Sequence, residues 1–224
     1  MKTMILFDLD GTLWDSSGEV AQAWNEAFAD AWISFQPKGR QPRLNAEDVK
    51  RVMGKTMNEI ARIFLPEETP ELQNLIFRQC ESHENDYLLQ HGGTLFPDVE
   101  ETLKRLLEQG YLLAIVSNCQ KDYVKTFLLS MNMEAYFCDY EEWGRTGKTK
   151  GENIRIVMER NRVKEAVYVG DTQKDADSAK EAGISFLWAS YGFGNVRDFR
   201  EKLTRFRDLP EVMEQIKGRI NPVP

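Results

Sequence analysis

Several residue types that mark particular classes of protein are scarce in this sequence. It contains two histidines and three cysteines, and no pair of cysteines has CxxC spacing. This cysteine usage fits reduced thiols better than a disulfide framework, and the histidines are too few to suggest a site. The net charge is -7 and no block of lysine and arginine is present. We therefore expect neither nucleic acid nor a membrane surface as the main partner.

Long apolar runs are absent as well. No stretch reaches the ~20 apolar residues that a membrane-spanning helix needs. The first apolar run, in MKTMILFDLDG, is interrupted by Asp8 and Asp10 and lacks the small-residue cleavage site of a signal peptide. These features predict a cytoplasmic protein. With 224 residues, 42% of them hydrophobic, the chain can bury a core without disulfides or structural metals.

What the chain does contain is a series of short apolar runs that each end in polar residues. They cover residues 4–9, 111–116, 166–169 and, more briefly, 185–188. Helical patterns precede the last three runs, at residues 99–109, 151–160 and 175–182. Such alternation predicts an α/β fold with a doubly wound parallel sheet. In such sheets ligands bind at the carboxyl ends of the strands, where these polar residues lie.

Residues 17–92 interrupt the alternation. Apolar residues recur there at helical spacing and no strand pattern is evident. The sequence therefore predicts an all-helical cap inserted after the first strand. The resulting domains are an α/β core, residues 1–16 and 93–224, and a helical cap, residues 17–92.

Two acids, Asp8 and Asp10, directly follow the first apolar run. Side chains at positions i and i+2 of an extended strand point to the same side, so both carboxylates can enter one crevice. A divalent cation relieves their repulsion, and hard oxygen ligands of this type suit Mg²⁺. A turn after a strand would not require two acids here.

Three further polar clusters follow the later runs. They are a hydroxyl and an amide, two lysines, and a second pair of acids: Ser117 and Asn118, Lys148 and Lys150, and Asp171 and Asp175. Each cluster alone is compatible with a strand-end turn, a solvated surface charge or a helix cap. Four unrelated turns are not expected to supply these groups at consecutive strand ends, so the combination favours a single site.

These residues resemble the motifs of the haloacid dehalogenase superfamily. The matching strings are FDLDGTLWDS, VSN, the lysine in GKTKGEN, and VGDTQKDADSAKEAG. With the predicted cap they resemble phosphatases with a small helical cap, of the phosphoglycolate phosphatase or β-phosphoglucomutase type. The resemblance implies a Rossmann-like core and a Mg²⁺-dependent phosphatase acting on a small phosphorylated metabolite.

The resemblance also implies a role for each matching residue. Asp8 would be the nucleophile that forms an aspartyl-phosphate, and Asp10 the general acid and then the base. Ser117 and Asn118 would hold the phosphoryl oxygens. The metal ligands would be Asp8, Asp171 and the backbone carbonyl of Asp10.

Asp175 would support that metal shell. For the catalytic lysine we favour Lys150, which opens the helix after GKT, whereas Lys148 fits members with a lysine-proline motif. Lys55, in VMGKTMNE of the cap, is the candidate for binding the polar tail of the substrate.

Two other functions stay open at this level. A phosphomutase of the β-phosphoglucomutase type would share every motif and return the phosphoryl group to a sugar. A binding or regulatory protein that has lost catalysis would share the fold. The sequence makes no prediction of oligomeric state.

Overall fold

The computed structural model of the chain describes residues 2–197, 199, 201–216 and 218. The remaining positions of the predicted core segments, residues 1, 198, 200, 217 and 219–224, lie outside the described residues.

Short extended segments make up the strands of the fold. They are β1 (Met4–Phe7), β2 (Trp14–Asp15), β3 (Thr94–Leu95), β4 (Leu112–Ser117), β5 (Asp139–Glu142), β6 (Ala166–Gly170), β7 (Ser185–Ala189) and β8 (Lys202–Leu203). Six of them form one sheet in the order β5-β4-β1-β6-β7-β8, and every neighbouring pair is parallel. The predicted α/β fold with a parallel sheet is confirmed.

Helices occupy most of the remaining described chain. The first group is α1 (Ser17–Phe35), α2 (Ala46–Lys50), α3 (Met57–Phe64) and α4 (Pro70–His91). The second group is α5 (Val99–Glu108), α6 (Tyr123–Ser130), α7 (Trp143–Thr146), α8 (Lys150–Arg160), α9 (Gln173–Ala182) and α10 (Leu209–Ile216). Short 3₁₀ helices span Glu134–Tyr136 and Phe206–Asp208.

Strand β1 lies inside the sheet and is buried on both faces. Ile5 and Phe7 belong to a core cluster that also contains residues of α5 and α6, such as Leu103. Leu6 belongs to a second cluster with Ile154 of α8. Because helices cover both faces, the strand has no polar side to show to water, which explains its continuous apolar run.

Helices α1 to α4 lie between β2 and β3, which pair antiparallel with Trp14 opposite Leu95. The chain therefore leaves the core and returns to it at neighbouring points. Trp24 and Phe28 of α1 pack against Phe77 of α4, with ring centroids 5.7 and 5.9 Å apart. The division into a core and a cap of residues 17–92 stays our prediction.

Cys80, Cys119 and Cys138 carry free thiols. Among the described residues, no helix combines the length and the apolar character that crossing a membrane would require.

Candidate active site

Asp8 follows β1 and is 2% exposed. Its backbone N–H donates to the carbonyl of Val169 in β6 at 2.9 Å, so the sheet pairing extends to this residue. Gly11 then turns the chain with a φ of 78°, a conformation that favours glycine. A side chain at Gly11 would also collide with the carboxylate of Asp171. The turn thus brings the backbone close to a second acid of the site.

Lys150 reaches Asp8 from the first turn of α8. That helix begins here because Thr149 and Glu152 form a capping box, with backbone-to-side-chain hydrogen bonds of 2.9 and 3.1 Å. The Lys150 ammonium lies 2.9 Å from Asp8 Oδ1 and 2.6 Å from Asp175 Oδ1. Lys148 is exposed. The structure therefore brings Lys150, rather than Lys148, to Asp8.

Both carboxylate oxygens of Asp175 have hydrogen-bond partners. Its Oδ2 accepts hydrogen bonds from the backbone N–H and the hydroxyl of Thr172, at 2.9 and 2.6 Å, which closes the capping box that starts α9. Its Oδ1 faces Lys150. The N-terminus of α9 therefore fixes the position of the Asp175 carboxylate, and Asp175 in turn fixes the position of the Lys150 ammonium.

Asp171 completes the acidic cluster at the end of β6. Its Oδ2 accepts the backbone N–H groups of Phe193 and Gly194 at 2.8 and 2.9 Å. Its Oδ1 is buried without a hydrogen-bond partner. One carboxylate oxygen each from Asp8, Asp171 and Asp175 lies within 4.8 Å of the others. A partnerless oxygen in a buried all-oxygen donor set fits a hard divalent cation.

The electrostatics of this cluster favour an added cation. Burial, and then the charge of Asp175, raises the pKa of Asp8 to about 7 despite the nearby Lys150. Burial, with Asp175 and Asp8, also raises the pKa of Asp171 well above its usual value. Burial lowers the pKa of Lys150, but the facing carboxylates outweigh it and hold that pKa well above its ordinary value. One ammonium does not balance the acids, so a cation would lower both raised pKa values.

Asp10 is also buried, but its hydrogen bonds are to residues outside the acidic cluster. Its Oδ1 accepts the hydroxyl of Ser16 at 2.7 Å and that of Tyr123 at 3.0 Å. Burial raises the pKa of Asp10 to about 6, although both hydroxyls oppose the shift. The sequence interpretation missed both partners. Ser16 stands in the motif string FDLDGTLWDS, which was a usable signal, whereas Tyr123 lies in no motif.

The other predicted site residues line a small cavity between the helices of residues 17–92, the predicted cap, and the carboxyl ends of the strands. Ser117, Asn118 and Lys55 contribute to its walls, as does Asp10. The Asn118 amide donates to the carbonyl of Gly54 in the cap at 3.1 Å, so it contacts the cap directly. The cavity volume of about 30 Å³ is enough for roughly two water molecules. The predicted cap therefore leaves little space at this point.

The comparisons with known proteins agree with this geometry. Residues 5–189 match the family of haloacid dehalogenase-like hydrolases. A phosphoglycolate phosphatase from Vibrio vulnificus is 29% identical over 86% of this chain and 85% of its own length. One from Rhodobacter capsulatus is 28% identical over 96% of this chain and 98% of its own.

The fold of the chain is also similar to that of a solved structure. The crystal structure described as a predicted phosphoglycolate phosphatase from Haemophilus somnus has a TM-score of 0.78 to this chain. Its sequence is 22% identical, and the match covers 95% of this chain and 98% of that one.

Proposed function

The chain belongs to the haloacid dehalogenase-like hydrolase family, and from this premise we propose that it is a phosphatase that hydrolyses a small phosphate monoester through a phosphoryl group carried on Asp8. The observation that carries the proposal is the contact of Asp8 with Lys150 beside the buried oxygens of Asp171 and Asp175. The names of the relatives in Vibrio vulnificus and Rhodobacter capsulatus support it.

In the first step a carboxylate oxygen of Asp8 attacks phosphorus and the bond from phosphorus to the alcohol oxygen breaks. The Lys150 ammonium, 2.9 Å from Asp8 Oδ1, lowers the pKa of this carboxyl against the effect of burial, and a bound cation would lower it further, so that the ionised nucleophile is favoured. Lys150 is itself held by Asp175, so the ammonium needs no reorganisation when charge develops on the phosphoryl oxygens.

Asp10 protonates the leaving alcohol. Its carboxyl lines the cavity between cap and core, where the alcohol part of the substrate would lie. A pKa of about 6 suits a group that must both give and take a proton near neutral pH. In the second step the Asp10 carboxylate takes a proton from water, the water oxygen attacks phosphorus, and Asp8 is released.

We assign the cation of the acidic cluster as Mg²⁺, held by Asp8, Asp171 and the backbone carbonyl of Asp10, with Asp175 as support. Bound there, it would neutralise charge on the phosphoryl oxygens. Oδ1 of Asp10 accepts hydrogen bonds from Ser16 and Tyr123 and not from residues of the acidic cluster, so we assign its carboxyl to proton transfer and its backbone carbonyl to the metal. Ser117 and Asn118 would hold the phosphoryl oxygens, and Lys55 would contact the substrate from the cap.

The test is phosphate release from a panel of phosphorylated small molecules, with Mg²⁺ and with a chelator. We expect Mg²⁺-dependent release from at least one monoester and none from the Asp8→Asn variant. Full activity of that variant would refute the proposal. Failure to hydrolyse any aryl, acyl or alkyl phosphate would instead favour a catalytically inactive binding protein.

A phosphomutase would use the same residues in the first step. It would be recognised by isomerisation of a sugar phosphate in the presence of a bisphosphate activator. We expect phosphate release to exceed isomerisation, since the relatives reported above carry the name of a phosphatase.

A further inference from the structure

Tyr123 is a buried tyrosine whose ring alone would be served by a phenylalanine. It is the first residue of α6 and is 2% exposed. Its ring packs edge-on against the ring of Trp14, with centroids 5.9 Å apart. A phenylalanine would make this contact equally well and would bring no hydroxyl to bury. The presence of a tyrosine therefore needs an explanation in what its hydroxyl contacts.

The hydroxyl of Tyr123 lies in a triangle of three oxygen atoms. It donates to Asp10 Oδ1 at 3.0 Å and lies 2.9 Å from the hydroxyl oxygen of Ser16, which donates to the same Oδ1 at 2.7 Å. Ser16 directly precedes α1, whereas Tyr123 belongs to α6. The two hydroxyls thus reach one carboxylate oxygen of Asp10 from two separate segments of the chain.

The other buried acid at the same cavity does not need the Tyr123 hydroxyl. Glu84 of α4 lines that cavity and is 3% exposed. Its Oε2 accepts the indole N–H of Trp24 at 2.6 Å, and Gln120 also donates to its carboxyl. Glu84 therefore has donors of its own, and the Tyr123 hydroxyl is directed to Asp10.

Tyr123 acts as a donor and not as an acid. Burial, and then the charge of Asp10, raises the pKa of Tyr123 well above its ordinary value. The phenol therefore keeps its proton, and its contribution to the site is a fixed hydrogen bond.

A fixed hydrogen bond matters because the carboxyl of an aspartate turns easily about its last side-chain torsion. A general acid must stay within hydrogen-bond reach of the leaving oxygen. A displacement of about 1 Å can cost roughly 100-fold in rate. With Ser16 alone, one hydrogen bond would hold Asp10 Oδ1; with Tyr123, a second donor on a packed ring restrains the same oxygen.

We propose that Tyr123 is a positioning residue that holds the carboxyl of Asp10 in the orientation in which it protonates the leaving alcohol. The assignment rests on the proposed phosphatase function and on the role of Asp10 in it. Tyr123 also lines the cavity, so the competing explanation is a direct contact between its hydroxyl and the substrate.

The first test compares leaving groups in Tyr123→Phe, which removes the hydroxyl and keeps the ring. The alkyl probe is the best substrate among 2-phosphoglycolate, glycerol 3-phosphate and ethyl phosphate, and its kcat/KM should fall by about 10- to 100-fold. First-turnover release of p-nitrophenolate from p-nitrophenyl phosphate should stay within about threefold of wild type, because this leaving group needs no proton. A general defect in packing would lower both rates.

Tyr111→Phe is the matched control. It removes another tyrosine hydroxyl, which donates to Glu214 at 3.4 Å, from a side chain that is 6% exposed. Both rates should stay at the wild-type level in this variant.

The second test asks whether Tyr123 acts through Asp10. In an Asp10→Asn background, Tyr123→Phe should change kcat/KM for the alkyl probe by no more than about twofold, because the group that it positions is already lost. A hydroxyl that contacts the substrate directly would cost as much there as in the wild type.

Three results would overturn the assignment alone: no loss in Tyr123→Phe, equal losses for the two leaving groups, or an undiminished loss in the Asp10→Asn background. If Tyr123→Phe does not fold, Ser16→Ala decides, because it removes the other hydroxyl of the triangle. It should show the same selective loss, and an unselective loss or none would overturn the assignment. Absence of hydrolysis of every alkyl probe by the wild type would overturn the proposed function and the assignment together.

Discussion

At the scale of single residues, two lysines two positions apart have different surroundings. Lys150 is buried between Asp8 and Asp175, whereas Lys148 is exposed. We expect Lys150→Ala to lower kcat by about 100-fold or more, because it removes a preorganised charge beside the reacting group. Lys148→Ala is the control and should stay within about threefold of wild type. Comparable turnover in the two variants would defeat the assignment.

The proposed role of Asp10 as the acid gives a second prediction, which concerns the leaving group of the substrate. An alkyl alkoxide needs a proton as it departs, while p-nitrophenolate does not. Asp10→Asn should therefore reduce kcat/KM for the best alkyl phosphate by about 10² to 10⁴. Hydrolysis of p-nitrophenyl phosphate should fall much less when phosphoryl transfer to Asp8 is followed in the first turnover. Equal losses for both substrates would show that Asp10 is not the acid.

The residues that the sequence predicted are those held by local backbone signals. Asp8, Asp171 and Asp175 directly follow buried strands or open a helix, so their places could be inferred from the chain itself. Tyr123 and Glu84 could not be inferred. Glu84 stands in the polar run ESHEND, which is typical of a solvated helix face, and its burial depends on tertiary contact with Trp24.

At the scale of elements, the strands that the sequence revealed are the buried ones. β5 was missed because its sequence, DYEE, is polar. It lies at the edge of the sheet, where Arg160 pairs with Asp139 and Glu141 at 2.8 and 3.1 Å. β8 has two residues and gives no pattern to read. Edge strands need no apolar alternation, so sequence periodicity does not detect them.

An ion pair links α3, in the predicted cap, to α9 of the predicted core. The Lys174 ammonium of α9 lies 2.9 and 2.8 Å from the two oxygens of Glu59 in α3. Both side chains are about two-fifths exposed, at 43% and 41%, so the pair contributes at most about 1 kcal/mol. We propose that it favours the closed cap.

Lys174→Ala should therefore lower kcat/KM by about twofold to fivefold, and the loss should shrink at high salt. Glu59 is left intact because it also caps α3 through the backbone N–H of Thr56. Lys180→Ala, an exposed lysine on α9, serves as the control. A loss that is the same in both variants, or that does not respond to salt, would contradict a role in closure.

At the scale of the whole molecule, a net charge of -7 must be reconciled with an anionic substrate. A cleft of about 260 Å³ near the site is lined by Lys50, Arg51, Lys55 and Lys174. These side chains come from both the cap and the core. Lys50, Arg51 and Lys174 are paired with Asp15, Asp48 and Glu59. Among the described residues that line the cleft, Lys55 is the cation without an ion pair, and we expect it to attract the anionic substrate.

Metal binding should also be visible in the stability of the whole chain. A ligand present at 100 times its Kd stabilises the folded state by about 2.7 kcal/mol, which is roughly 5–10 °C in Tm for a chain of this size. We expect Mg²⁺ to raise Tm in the wild type and not in Asp171→Asn. Asparagine keeps an acceptor for the N–H groups of Phe193 and Gly194.

Asp177→Asn is the control for that experiment, since Asp177 is exposed on α9. Its Tm should rise with Mg²⁺ as in the wild type. A Mg²⁺ shift that survives in Asp171→Asn would place the cation elsewhere.

The most direct test is to look for the phosphoryl group on Asp8. The enzyme is mixed with its best substrate and Mg²⁺, quenched in acid during turnover, digested, and mapped by mass spectrometry. We predict a phosphorylated peptide that contains Asp8, with a modification that hydroxylamine removes, and no such peptide from Asp8→Asn. Absence of a phosphoryl group from that peptide while the wild type turns over substrate, together with an active Asp8→Asn enzyme, would contradict the account.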